Sequence, residues 1–295
     1  MAGQVAPSTV QRRGLLLPTL AAVGAGFVAF QAWGYLTWAI DGGSTRFEVD
    51  ATIPASIRHG VLLGEILMPL VALGWLGYVV RTVLRERSTT WPLALTVVWG
   101  LTYWQESLAN VTGPRFAYNA HFADLGDWTT YLPFMADSGP GLPQPLMMEP
   151  AVFLGLLPLV SWTVSVAIRR LRDRTGWNPW LVAGVVYVCV LIVEFGAEMR
   201  SISQGVHAYP EVFGALSIRD GATDQFPLYE NWLLGLMWFL PGLALFLLRD
   251  VARPSPSLVM AGVGALNIAF LLYNLVAFVW LPADTVAPVP AWLQP

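Results

Sequence analysis

Acidic side chains interrupt several apolar runs of this 295-residue sequence. Glu194 and Glu198 are four residues apart, so they share one face of a predicted helix. Trp99 and Tyr103 precede Glu106 on a single stripe of another predicted helix. Two carboxyls that lie close together in a low-dielectric pocket cannot both ionise, so one of them holds a proton. The pattern therefore predicts a general acid and a general base beside aromatic rings, whose faces stabilise a cation.

Three more acids, Glu65, Glu149 and Glu230, lie near the ends of other apolar runs. An acid at the middle of a membrane costs about 2.5–3.5 kcal/mol, so several of them together indicate a site. Because neighbouring helices alternate in direction, we expect these acids to meet at one end of a bundle. The predicted catalytic carboxyls are Glu65, Glu106, Glu194, Glu198 and Glu230. The alternative for single acids, such as Glu149 and Glu198, is that they face water at a helix end.

Other polar residues have competing interpretations. His59, His121 and His207 fall in loops near the acids, but no H-x-x-x-H or E-x-x-H spacing occurs, so no metal site is predicted. Cys189 is the single cysteine, which excludes disulfides and thiolate metal clusters. Asn267 belongs either to the site or to a hydrogen bond between helices.

The composition places this chain in a lipid bilayer. Hydrophobic residues make up 56% of it and charged residues only 12%, against about 25% charged residues in soluble domains. All 16 basic residues are arginine, so lysine Schiff-base chemistry and a P-loop lysine are excluded. A soluble globule, a disordered chain and a nucleic-acid-binding protein are excluded as well.

The apolar runs are long enough for membrane-spanning helices, which need about 20 residues. Seven candidate spans run approximately over 15–40, 61–84, 92–110, 151–168, 180–199, 228–248 and 258–281. They do not alternate as barrel strands do. The predicted fold is an all-α integral membrane protein, a bundle of about seven transmembrane helices. We predict a single transmembrane domain over 1–295, with an N-terminal tail (1–14), the bundle (15–281) and a C-terminal tail (282–295).

The arginines predict how the bundle is oriented. With the N-terminus inside, eleven of the 16 arginines fall on the inner side and five on the outer side, as the positive-inside rule favours. The N-terminus is therefore predicted to be cytoplasmic, in a multi-pass protein of the cell membrane. The long loops 113–149 and 200–227 then lie on the outer side, next to the acids.

Three motifs are distinctive: WQESLAN at 104–110, RFAYN at 115–119 with GDW at 126–128, and QFPLYE at 225–230. Together with Glu149-Pro150 and the Glu194/Glu198 pair, they resemble the AveC-like spirocyclase family of actinobacterial membrane proteins, in family order over about 56–280. The chain departs from the family pattern at Glu106 and Glu194, where the family often has Asp.

The resemblance implies a cyclase with an associated dehydratase activity in polyketide secondary metabolism. Such an enzyme closes a hydrophobic dihydroxyketone to a spiroketal, with loss of water through an oxocarbenium ion. Protonated Glu106 or Glu194 would be the acid and Glu198 or Glu230 the base. Spiroketal formation is redox-neutral, so no cofactor is expected. The predicted substrate-binding residues are Trp99, Tyr103, Trp104, Gln105, Asn110, Tyr118, Asn119, Trp128, Glu149, Gln225, Tyr229, Asn231 and Asn274, with the cation against Trp99, Tyr103 and Trp104.

Two other readings use the same residues. A membrane terpenoid or lipid cyclase or dehydratase would use the same carboxyls and aromatic rings. A proton-coupled carrier or a membrane scaffold would use the carboxyls without catalysis, although the inverted repeat typical of carriers is not visible. The sequence leaves the substrate and the oligomeric state open.

Overall fold

The computed structural model describes residues 9–41, 52–110, 112–123, 131–132 and 144–288, with only the backbone of 9–13. Helices dominate it. They are α1 (Thr9–Ile40), α2 (Ala55–Glu86), α3 (Trp91–Gly100), α4 (Met148–Thr175), α5 (Pro179–Ser203), α6 (Leu228–Leu247) and α7 (Pro256–Trp280).

Six of these helices are long and apolar enough to cross a membrane, counted over the described residues, and α3 is the exception. The predicted span 92–110 is not one continuous α-helix. Its α-helical part ends at Gly100, and a 3-10 helix covers Tyr103–Asn110. The prediction of a helical membrane protein is thus confirmed, while the third segment differs from a regular span.

Two asparagines of α7 explain how this break is tolerated inside the bundle. Asn267 Nδ2 donates to the carbonyl of Leu101 over 3.1 Å, and Asn274 Nδ2 donates to the carbonyl of Gln105 over 3.2 Å. Non-α-helical backbone at membrane depth requires such partners from the protein, because lipid offers none. The predicted role of Asn267 between helices is therefore what the structure shows.

A close helix crossing holds α1 on the bundle. Gly24 of α1 lies against the backbone of Met260 and Gly264, and Gly264 lies against the backbone of Leu20 and Gly24. A side chain on either glycine would collide with backbone atoms of the other helix. Small residues let membrane helices approach in this way, where van der Waals packing rather than the hydrophobic effect drives association.

A wide turn near the start of α4 shapes the inner space of the bundle. Residues Val152–Leu156 form a π-helical turn that ends two residues before Pro158. Proline has no N–H to continue the α-helical ladder, and in membrane helices local π adjustments satisfy the backbone groups that it frees. Val152, Phe153 and Leu156 of this turn line the cavity described below.

Short strands in the loops correct the all-α prediction. Within the described residues, three antiparallel pairs form: β1 (Ala117–Tyr118) with β2 (His207–Ala208), β3 (Glu211–Val212) with β6 (Thr285–Val286), and β4 (Ser217–Ile218) with β5 (Phe226–Pro227). They tie both long loops and the predicted C-terminal tail together at one end of the bundle. Their hydrogen bonds replace those that water would otherwise supply to the loop backbone.

Candidate functional site

A cavity of about 180 Å³ lies where the helix bundle meets the paired loops. Its polar lining residues are Glu106, Tyr118, Glu149, Glu198, Ser201, His207, Tyr209, Glu230, Tyr273 and Asn274. They come from the 3-10 helix, from four long helices and from the loop strands. Carboxyl, phenol and imidazole groups around one enclosed space are suited to proton transfer.

One side of this cavity, the Glu106 wall, consists of Glu106, Glu149 and Tyr118. Tyr118 Oη donates a hydrogen bond to Glu106 Oε1 over 2.8 Å, and the phenol also interacts with the Glu149 carboxyl. Burial, followed by the charges of Glu106 and Glu149, raises the pKa of Tyr118 well above its ordinary value. The phenol therefore stays protonated as a donor. Two buried carboxyls that share one donor are suited to holding a proton between them.

A second group of carboxyls, the Glu198 wall, consists of Glu194, Glu198 and Glu230 with their partners. One oxygen of each of the three glutamates lies within 4.8 Å of the others. Glu198 and Glu230 line the cavity, whereas Glu194 is fully buried behind them. The predicted pair on α5 is thus joined by a carboxyl from the first turn of α6.

An imidazole and two phenols contact the carboxyls of the Glu198 wall. His207 Nε2 lies 2.8 Å from Glu198 Oε2, and Tyr209 Oη donates to the same oxygen over 3.1 Å. Tyr273 Oη donates to Glu230 Oε1 over 3.0 Å. Burial, followed by the charge of Glu198, raises the pKa of Tyr209 well above its ordinary value, so this phenol also remains a donor.

The β1–β2 pair connects the two walls. Tyr118 and His207 are direct partners in its antiparallel register. Tyr118 donates to the Glu106 wall and His207 contacts the Glu198 wall. Cross-strand partners lie about 4.5–5.5 Å apart at Cβ, so this pairing sets the separation between a donor of one wall and a donor of the other.

Aromatic rings close the remaining sides of the cavity. Phe116 packs edge-on against Tyr118 at 4.7 Å and against Tyr209 at 5.2 Å between ring centroids. Phe270 packs against Tyr273 at 5.2 Å and Phe153 at 6.1 Å. Trp238 and Phe278 complete the aromatic lining. The faces of such rings are able to stabilise positive charge.

Several predicted binding residues do not line the cavity, because their polar groups bind other parts of the bundle. Trp104 Nε1 and Gln105 Nε2 both donate to Asn267 Oδ1 over 2.8 Å. Trp99 Nε1 donates to Ser161 Oγ over 2.9 Å. Tyr103 packs against Phe153 rather than into the cavity. These side chains position the 3-10 helix that carries Glu106.

The predicted residues in the loops hold the strand pairs in place. Asn119 Nδ2 donates to the carbonyl of Gly205, and Gln225 Nε2 donates to that of Tyr209, both over 2.7 Å. Asn110 Oδ1 accepts from the backbone of Phe116 over 2.9 Å. These bonds stabilise the loop ends that carry Tyr118, His207 and Tyr209.

The remaining predicted residues lie on neighbouring elements. Tyr229 Oη accepts from the backbone of Phe213, and Asn231 Nδ2 donates to a carbonyl of α5. Glu65 Oε1 accepts from the backbone N–H of Ala123 over 2.7 Å, so this acid is outside the cavity lining. Trp128 lies outside the described residues. Among the predicted site residues, the structure brings Glu106, Tyr118, Glu149, Glu198, Glu230 and Asn274 together at the cavity.

Sequence reasoning missed four of the polar lining residues: Ser201, Tyr209 and Tyr273, and His207 in any role other than metal binding. A signal for two of them was present, because His207 and Tyr209 are two residues apart, as are Phe116 and Tyr118. Residues at that spacing point to the same side of a strand. Two aromatic pairs of this kind in two loops indicate a strand pair facing a common space.

Comparisons with known proteins agree with the resemblance found in the sequence. Residues 85–279 match the family described as Spirocyclase AveC-like. The matched stretch includes every residue that lines the cavity except Met68. Comparison with curated proteins and with solved structures finds no match. The family match covers more than half of the chain and indicates a cyclase role. The chain is therefore a helical membrane protein that belongs to the AveC-like spirocyclase family.

Proposed function

We propose that this protein is an acid/base cyclase of the cell membrane that closes a dihydroxyketone to a spiroketal with loss of water. The observation that carries the proposal is the convergence of the Glu106 wall and the Glu198 wall on one cavity. Family membership supports a cyclase, and the two walls supply an acid and a base for it. The N-terminus would lie in the cytoplasm, as the arginine distribution favours.

The reaction begins from a hemiketal, in which one hydroxyl of the substrate has already added to the ketone. The Glu106/Glu149 pair gives its proton to the hemiketal hydroxyl. The bond between this oxygen and the ketal carbon then breaks, water departs, and an oxocarbenium ion remains. The second hydroxyl attacks this carbon and forms the new C–O bond. The Glu198–His207 pair takes the proton of that hydroxyl. One water is released, and the proton returns to the Glu106 wall between turnovers.

The aromatic lining gives the cation an environment that bulk water cannot. Phe116, Phe153 and Phe270 surround the space with rings, and the fixed carboxyls lie beside it. Such preorganised charge is effective where water is excluded. These rings take the role for which the sequence predicted Trp99, Tyr103 and Trp104.

The size of the cavity restricts which part of the substrate it encloses. Its volume of about 180 Å³ is below the roughly 300–1,000 Å³ of typical small-molecule pockets. The ketone and its two attacking hydroxyl arms would be enclosed, while the rest of a long chain extends outside. Holding the two arms near the reacting carbon supplies the proximity that ring closure needs.

The test is a ring-closure assay with purified full-length protein in lipid nanodiscs and a synthetic dihydroxyketone. We expect mass spectrometry to show loss of one water and NMR to show a ketal carbon with new C–O bonds only. Glu106→Gln and Glu198→Gln should each lower the rate of enzymatic closure by about 10²-fold or more. Glu86→Gln, which removes a surface acid at the far end of α2, is the matched control.

Two outcomes would contradict the proposal. Closure at the uncatalysed rate in the presence of folded wild-type protein would remove the cyclase assignment for this substrate class. A product with new C–C bonds from a polyene would instead favour the terpenoid cyclase reading. Equal activity of the two glutamine variants and Glu86→Gln would exclude the walls as the source of catalysis.

A further inference from the structure

We propose that Glu194, Glu198 and Glu230 bind one oxygen-preferring divalent cation, of the Mg²⁺, Mn²⁺ or Ca²⁺ type. Each residue offers an oxygen, and these oxygens lie within 4.8 Å of one another. Two of the ligands come from successive turns of α5 and the third from the start of α6. The proposal departs from the sequence analysis, which found no metal-binding spacing because the third ligand is distant in the chain.

The distances fit a single ion. Mg²⁺ binds oxygen at about 2.0–2.1 Å and Ca²⁺ at about 2.3–2.6 Å. Ligands on opposite sides of one ion are therefore about 4–5 Å apart, which covers the separation found for these oxygens. Carboxylate oxygens without thiolates are the donor set that hard divalent cations prefer.

An independent observation points to a missing partner. Glu194 is 0% exposed, and neither of its carboxyl oxygens has a hydrogen-bond partner among the described residues. Glu230 is 2% exposed, and its Oε2 likewise has none in the described part of the chain. An unpaired buried carboxyl is costly. A cation between these groups would bind the oxygens that are left free.

The neighbouring donors hold the other oxygens. His207 and Tyr209 contact Glu198 Oε2, and Tyr273 donates to Glu230 Oε1. Partners of this kind orient the carboxylates of metal sites and leave the opposite oxygen for the ion. His207 is the single basic side chain within 4 Å of a carboxyl oxygen of these three glutamates in the described ranges, so a divalent cation would supply the charge that balances the cluster.

The site goes beyond the proposed acid/base reaction, and cation binding is expected without substrate. Glu198 and Glu230 line the cavity, so open coordination positions of the ion would face it. A substrate ketone or hydroxyl oxygen fits such a position, where the ion acts as a Lewis acid.

The experiment titrates Mn²⁺ into full-length protein that has been stripped with EDTA in detergent. Free Mn²⁺ is measured by its EPR signal. We expect one Mn²⁺ per chain, displaced by excess Mg²⁺ or Ca²⁺. Glu194→Gln should weaken binding by about tenfold or more, whereas Glu86→Gln should bind as the wild type does. Glu194 does not line the cavity, so this variant tests the ion rather than direct substrate contact.

Lack of one-to-one binding up to about 1 mM Mn²⁺, the weak end of protein cation sites, would overturn the proposal. Unchanged binding by Glu194→Gln would overturn it too. If that variant does not fold, the test uses two other measurements: Mn²⁺ binding by Glu198→Gln, which should also be weakened, and the melting temperature of the wild type, which Mn²⁺ should raise. No rise in the wild type would mean that protons alone neutralise the cluster. If the wild-type protein binds Mn²⁺ but does not close the substrate, the proposed reaction is wrong and the cation site remains.

Discussion

The two walls of the cavity use the same residue type in different surroundings. The Glu106 wall has two carboxyls around one phenol donor, Tyr118. The Glu198 wall has three carboxyls, two of which accept hydrogen bonds from phenols, and the imidazole of His207 contacts Glu198. Two carboxyls around one phenol are suited to sharing a proton, whereas an imidazole beside a carboxyl adds a second kind of group that can exchange one. The partners of a glutamate, rather than its burial alone, therefore determine its chemistry.

Removing the acid of the Glu106 wall should have the largest effect. We expect Glu106→Gln and Glu149→Gln each to lower the closure rate by about 10²–10⁴-fold, since an amide cannot hold the shared proton. The closure rate of the double variant should be little lower than that of the slower single variant, because the effects of groups that act as a unit are not additive. The rate is measured by loss of water from the substrate. Fully multiplicative losses would show that the two carboxyls act separately.

Changing the imidazole of the Glu198 wall should have a smaller effect. His207→Gln keeps a polar group in β2 but removes the base, and we expect a fall of about 10–10²-fold in closure rate. Glu198 still accepts from Tyr209 in this variant. A loss as large as that of Glu106→Gln would mean that both walls share one proton network. The comparison is valid if His207→Gln has the same melting temperature as the wild type, because the loss of rate is then not due to unfolding.

Removing one phenol from each wall sharpens the comparison further. Tyr118→Phe deletes a donor of the Glu106 wall, and we expect about a tenfold loss, which corresponds to one hydrogen bond to a charged group. Tyr209→Phe should cost less, because His207 still contacts the same oxygen of Glu198. If Tyr118→Phe and Tyr209→Phe lower kcat equally, the two phenols act by contacting the substrate and not by donating to the carboxyls.

A substitution outside both walls should lower stability and reduce activity less than any change to the walls. Asn267→Leu removes the donor to the Leu101 carbonyl and the acceptor for Trp104 and Gln105. We expect a loss of about 1–3 kcal/mol in unfolding free energy, measured by denaturant unfolding in detergent. The closure rate per folded molecule should fall only a few-fold, because Trp104 and Gln105 lose the partner that helps to position Glu106, while every cavity side chain is kept. A loss as large as that of Glu106→Gln would show that the position of the 3-10 helix depends on Asn267 alone.

The WQESLAN motif shows the limit of sequence reasoning. An α-helical reading put Trp99, Tyr103 and Glu106 on one stripe. The segment instead continues as a 3-10 helix from Tyr103, which turns by about 120° per residue rather than 100°. Residues three apart, such as Tyr103 and Glu106, still share a face of such a helix, but Trp104 and Gln105 bind Asn267 of α7 and only Glu106 of the predicted stripe lines the cavity. A motif identifies which residues matter together, but it does not tell which of them face a common space.

The sequence by itself determined that the chain is a helical membrane protein, because the thickness of a bilayer sets how long an apolar helix must be. It also predicted that most of the acids lie at one end, because consecutive spanning helices run in opposite directions. Only the tertiary structure decided which donor each carboxyl receives. Tyr118 and His207 come from two different loops, and their pairing in β1–β2 forms through long-range backbone hydrogen bonds that no local pattern specifies.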